Sequence, residues 1–188
     1  MVDINLTLQE FENLMQEIIA TITGLDANSN VRVSWPSGGA PAIGIEDNIV
    51  FIQCYEVDSP INREREQIFT EVMSPSEFNM ATSYTRVMQV GLILYGDNSF
   101  ENAQAIRDNM FYPEIRLLMS RNNLYLVHDI PAPRRVPELF NDQWWKRVDM
   151  TIRFNELVVR NVSVPIIESM EVIVRNSDGN EIADINIQ

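Results

Sequence analysis

The chain has 188 residues, 45% apolar and 22% charged, which fits one globular domain. With 14 Lys and Arg against 27 Asp and Glu, the net charge of −13 argues against a protein that binds nucleic acid by neutralising phosphates. A lone cysteine, Cys54, excludes a disulfide scaffold within the chain. The opening residues, Met1 to Phe11, have neither the basic nor the apolar stretch of a signal peptide, and no run approaches the roughly 18 apolar residues of a membrane span. The expectation is a soluble protein made in a reducing cytoplasm.

The first predicted element is a helix. Thr7 and Glu10 form a capping box, and Leu8, Phe11, Leu14, Met15, Ile18, Ile19 and Ile22 recur at helical spacing. Gly24 stands where a left-handed C-terminal residue is expected. Val31, Val33 and Trp35 alternate as a short strand, and the loop from Pro36 to Pro41 reads as a turn, since it has neither of the phosphate-binding glycine spacings. Residues 49–57 are apolar on both faces and read as a central strand. Residues 58–82, with Pro60 and Pro75 around Arg63, Glu64, Arg65 and Glu66, hold few apolar residues and read as an extended loop or arm.

A long strand is predicted over 83–95. Ser99 is placed as the cap of a helix whose core positions are Ala103, Ile106 and Met110, and Pro113 opens a second helix with Ile115, Leu118 and Met119. A strand over Leu124–Ile130 follows, then a Pro-rich stretch from Pro131 to Pro137 that cannot enter a sheet interior. Residues 144–155 alternate most clearly. Trp144, Lys146, Val148, Met150, Ile152 and Phe154 share one face, and Trp145, Arg147, Asp149, Thr151, Arg153 and Asn155 the other. Residues 166–174 form a further strand, and Ser177 to Asn180 turn into Glu181–Ile187 as a C-terminal hairpin. The order gives an α+β domain, 1–188, with a largely antiparallel sheet and helices packed on one face.

The residues that carry chemistry are sparse. His128 is the only histidine, and with one cysteine it cannot complete a zinc site. Asp178, Gly179, Asn180 and Glu181 lack the spacing of a calcium loop. Cys54 has no cationic neighbour in sequence and reads as an inert core thiol. Acid pairs such as Glu64/Glu66 and Glu168/Glu171 are what chance supplies in so acidic a chain. No catalytic residue, cofactor or metal is expected.

The segment from Ala103 to Val174 resembles the neck and tail-terminator (tail completion) proteins of long-tailed bacteriophages. The matching features are the helix pair from Ala103 through Leu118, the short strand Leu124 to His128, the Pro-containing loop Val136 to Leu139, the aromatic-rich strand Trp144 to Phe154, and a closing strand from Ile167 to Val172. The N-terminal helix and the strand at 83–95 agree with that order. Two features depart from it: the long segment 58–82 and the hairpin at 175–188. The resemblance implies a tail-terminator-like fold and a structural role. Such proteins form hexameric rings that cap the tail tube, stop its growth and make the head–tail joining surface. It implies as partners further copies of the chain, the tail tube protein, a connector or stopper, and in some tails a sheath or collar. DNA would pass through the channel without specific binding, repelled by an acidic wall.

Candidate subunit or partner contacts are Arg63 and Arg65 in the arm, Arg134 and Arg135 in the Pro-rich stretch, and Trp145, Arg147, Asp149 and Arg153 on the polar strand face. Alternatives are another neck ring component, such as a head-completion or stopper protein, and, from different classes, a small enzyme or an adaptor that binds a peptide by strand addition.

Overall fold

The fold is described from a computed structural model covering residues 3–34, 43–71, 77–165, 170–179 and 181–187. The turn read at 36–41 lies outside these residues, as do Trp35, Pro75 and Asn180. Helix α1 (Leu8–Thr23) begins as expected. The Thr7 hydroxyl accepts from the Glu10 N–H, the Glu10 carboxylate accepts from the Thr7 N–H at 2.8 Å, and Gly24 closes the helix with φ 70°. Its stripe of Phe11, Leu14, Met15, Ile18 and Ile19 is buried. At about 1.5–3 kcal/mol for each large side chain, that burial far exceeds what helix propensity contributes.

Strands β1 (Val31–Val33), β2 (Ile49–Glu56), β4 (Glu77–Tyr95), β9 (Arg147–Pro165) and β5 (Leu124–Leu126) form the main sheet in that spatial order. Only β1 and β2 run parallel; the other pairs are antiparallel. β3 (Glu66–Glu71) adds to β4, and β6 (Arg134–Arg135) to β9. Helices α2 (Ser99–Asn109) and α3 (Pro113–Arg121) join α1 on one face. There Val50, Ile52, Leu92, Leu94, Met150, Ile152 and Phe154 meet the helices, with Phe11 edge-on to Phe154 at 6.1 Å. The expected architecture is therefore present. Helix α2 starts at Ser99 itself, and Asn98 takes the cap position, its N–H donated to Asn48 Oδ1 at 2.9 Å. Gly96 (φ 97°) makes the turn before α2; a Cβ there would lie 2.5 Å from the Asp47 carbonyl oxygen.

β4 and β9 pair over their full lengths, from Glu77↔Pro165 to Tyr95↔Arg147. At about 3.3 Å per residue this ladder is about 60 Å long, well beyond an ordinary strand. The core ends at Val87 and Val158. Past that point β3, β4 and β9 continue as a three-stranded ribbon without a helix over it, which corrects the reading of 58–82 as structureless. The segment contains a 3-10 turn, Pro60–Arg63, and a strand in register with β4 from Glu66↔Ser83 to Glu71↔Phe78. It was illegible because Ile68 and Phe69 are half-exposed and no core face imposes alternation on it.

Where the core ends, Glu156 is fully buried. Arg86 donates to Glu156 Oε2 from Nε at 2.9 Å and from Nη2 at 2.6 Å. The Leu6 N–H donates to Glu156 Oε1 at 2.8 Å, and Arg86 Nη2 also donates to the Leu6 carbonyl at 2.8 Å. With the Ile4–Val159 bridge, this pair straps the N-terminal segment to β9.

Two small hairpins stand apart from the main sheet. β7 (Glu138–Phe140) and β8 (Gln143–Trp145) turn through Asn141 (φ 49°) and Asp142 (φ 60°), the left-handed pair of a tight hairpin. β10 (Met170–Arg175) and β11 (Glu181–Ile187) form the C-terminal hairpin, which begins before the expected 175. No helix among the described residues is long and apolar enough to cross a membrane.

Candidate assembly interface

Five of the eight candidate contact residues converge at one end of the sheet. Arg134 pairs with Asp149 and Arg135 with Val148 along the β6–β9 edge, an arrangement the flanking prolines permit because β6 is an edge strand. The Arg135 guanidinium lies 4.7 Å from the Phe100 ring centroid. Arg147 grips Asp149 with Nε at 2.7 Å and Nη2 at 2.9 Å, and donates to Glu138 at 3.1 Å. Glu138 also accepts the Tyr95 hydroxyl at 2.7 Å.

The charges tune one another. Bonds from Tyr95 and then Arg147 hold the Glu138 carboxyl below its usual range. Burial, with Glu138 beside it, pushes the Tyr95 phenol up to about 12. The bond to Asp149 raises Arg147 further above its already high value. Arg147 is thus a strut that fixes the β7–β8 hairpin to the sheet, rather than a free charge.

The two tryptophans are placed opposite to expectation. Trp144, which the alternation puts on the face of Val148, Met150, Ile152 and Phe154, is 66% exposed. Trp145 was the candidate surface aromatic and is tucked inward, edge-on to Tyr95 at 6.1 Å and to Phe140 at 6.2 Å. The cause is a break at Lys146: β8 belongs to the hairpin and not to β9, so the alternation that starts at Arg147 does not extend back. Phe51 completes the aromatic wall at 6.1 Å from Tyr95. A cavity of about 490 Å³ opens here, lined by Phe51, Tyr95, Glu138, Phe140 and Trp145. The Trp145 Nε1 is buried with no hydrogen-bond partner among the described residues. Leu139, Phe140 and Trp144 project from the hairpin, each more than half exposed. A small knob with three exposed large apolar side chains has the composition of an interface core.

The remaining candidates lie elsewhere. Arg153 is exposed on the helix-free face and donates to Gln89 at 2.9 Å. Arg63 pairs with Asp58 at 3.2 Å on the surface. Arg65 lies 3.6 Å from the Tyr84 ring centroid. Tyr84 and Tyr95 sit on the same strand about 36 Å apart, with Arg153 opposite Gln89 between them, so the candidates do not form one surface.

Burial, then the nearby Glu12, pushes the Cys54 thiol up to about 12. His128 lies beyond β5 with its ring 5.8 Å from that of Phe111. Among the described residues no group of three or more His, Cys, Asp or Glu is placed to hold a metal ion.

Residues 9–182 match the family described as phage neck terminator protein. The chain belongs to that family. It is accordingly a structural protein of the bacteriophage neck. None of the curated proteins compared with the chain matches it.

Sequence reasoning missed Glu138 and Tyr95, which complete the Arg147 network, and the exposed hairpin tip. Glu138 directly follows the Pro-rich stretch, where no periodicity marks it, and Tyr95 ends a strand whose apolar pattern hides a polar tip.

Proposed function

We propose that six copies of this neck protein close into a ring on the head-proximal end of the tail tube. The ring ends tube growth and presents the surface to which the head binds. Family membership over residues 9–182 carries this reading. The structure supports it in that one end of the sheet bears an apolar knob and the other a projecting three-stranded ribbon. Unlike surfaces on one chain are what a heterologous, ring-closing contact requires. The tail tube protein and a head-side connector or stopper are the expected partners, with a sheath or collar where the tail has one. The protein would be made in the host cytoplasm and assembled into the virion.

Within this reading, Arg147 and Asp149 position the β7–β8 knob. Arg134 and Arg135 supply charges at its margin, Trp145 backs it, and Arg153 acts separately on the helix-free face of the sheet. Arg63 and Arg65 act at the ribbon. The net charge of −13 on every copy disfavours DNA sticking as it passes through the ring. Electron microscopy of particles from a null mutant tests the assignment. The expected result is separated heads and tails, with tails overlong or unstable. Normal-length tails beside emptied heads would overturn it in favour of a head-side stopper.

A further inference from the structure

Two surfaces are left open by the fold and complement each other. The first is a groove of about 420 Å³ between α3 and β5, lined by Pro113, Arg116, Leu117, Leu124, Tyr125 and His128 among others, with no acidic residue in its lining. β5 is the last strand of the sheet path. Val127 N–H bonds to the Arg153 carbonyl and Leu157 N–H to that of Asn123, so the odd-numbered residues face β9. By the alternation of an antiparallel ladder, the N–H and C=O groups of Leu124 and Leu126 point away from the sheet. Half of Tyr125 and half of Leu117 remain exposed beside them. A helix flanking a free strand edge is the geometry that accepts an added strand: backbone groups supply pairing and the helix side supplies apolar pockets.

The second surface is the β10–β11 hairpin. Among the described residues it forms its own two-stranded sheet and pairs with no strand of the main one. A lone two-stranded hairpin is marginal in water, so it needs cover. Met170, Ile173, Val174 and Ile182 are exposed on it. Its charged residues are Glu171, Asp178, Glu181 and Asp184 against Arg175, a formal balance of −3. An acidic, strand-forming, apolar element thus lies on the same chain as a strand edge whose groove is lined by Arg116 and, among the described residues, by no acid, Glu114 and Asp129 standing just outside it.

We propose that the β10–β11 hairpin of one copy adds to the free edge of β5, beside α3, on the next copy. The proposal rests on the ring reading above. It gives each subunit one donor and one acceptor, so the contact repeats around the ring until it closes. It also accounts for an appended hairpin that the rest of the fold leaves uncovered.

The test replaces Tyr125, and separately Leu117, with the photo-cross-linker p-benzoylphenylalanine in protein assembled into necks. Mixed isotope-labelled and unlabelled chains distinguish cross-links between copies from those within one copy. The expected products join position 125 or 117 of one copy to peptides within residues 170–188 of another. Products joined only to the tail tube or a head-side protein would overturn the proposal, as would products within one chain or none. Symmetry of the same particles, read by microscopy, is independent of the cross-links. Intact rings without these products sink the hairpin contact alone, whereas necks without a ring sink the reading beneath it.

Discussion

Replacing Glu156 with alanine tests the linkage between the long β4–β9 ladder and the N-terminal segment. The carboxylate is fully buried and has two partners, Arg86 and the Leu6 N–H. The substitution leaves the Arg86 guanidinium, whose side chain is 19% exposed, with the Leu6 carbonyl as its remaining partner. It also strips the Leu6 N–H of its acceptor. Breaking a buried pair in this way costs about 3–5 kcal/mol. For a chain of this size, about 1 kcal/mol moves the melting temperature by roughly 2–4 °C, so a fall of about 6–20 °C is expected. Urea denaturation of the purified chain measures the loss directly. Hydrogen exchange should show the Ile4 amide, bonded to the Val159 carbonyl, losing protection first. Glu156→Gln keeps an acceptor for Leu6 but no counter-charge for Arg86, and should fall between wild type and alanine. A loss below about 1 kcal/mol for Glu156→Ala, with Ile4 still protected, would refute the strap.

Further perturbations separate structure from assembly. Arg147→Glu places a third acid beside Asp149 and Glu138; it should free the β7–β8 hairpin and weaken assembly while the circular dichroism of the monomer stays native. Unchanged assembly would return this network to a purely internal role. Trp144→Ala at the exposed knob should change monomer stability by no more than about 0.5 kcal/mol yet reduce the yield of joined particles. Full joining would remove the knob from the interface. Glu138 has a depressed pKa from its bonds to Tyr95 and Arg147, so its stabilising contribution is complete above the ordinary value of 4.5 and is lost as pH falls through the lower folded value. Trp145 fluorescence, next to Tyr95 and Phe140, should report loosening of the hairpin in that acid range, and Glu138→Gln should abolish the transition. Thr7→Ala removes a capping box and should cost about 1 kcal/mol in chemical denaturation.

The elements legible in the sequence are those whose pattern is imposed locally. Thr7, Glu10 and Gly24 mark the ends of α1 without any tertiary information, and the alternation of Val148, Met150, Ile152 and Phe154 gives β9 its buried face. The strand was read as ending at Asn155 because the next inward position is a charge. Glu156 is tolerated there because Arg86, 70 residues earlier, pairs with it, and no local signal reveals that partner. β3 escaped for the opposite reason: outside the core, neither of its faces must be apolar. The double tryptophan misled because two adjacent aromatics extend an alternating run on paper, while the Asn141–Asp142 turn assigns β8 to a separate hairpin. The sequence shows the charges at 134 and 135 in the Pro-rich stretch and those at 147 and 149 on the strand face as two separate sets. That these sets share one edge, and that Arg147 meets Glu138 and Tyr95, depends on a chain reversal that only the folded structure displays.

The claim at the centre of the account is that this neck protein sits as a closed six-fold ring between the tail tube and the head. Symmetry-free electron cryo-microscopy of the neck in intact particles measures that directly. The account requires six copies around the channel on the head-proximal end of the tube. A different copy number, or a location on the head side of the connector without contact to the tube, would contradict it.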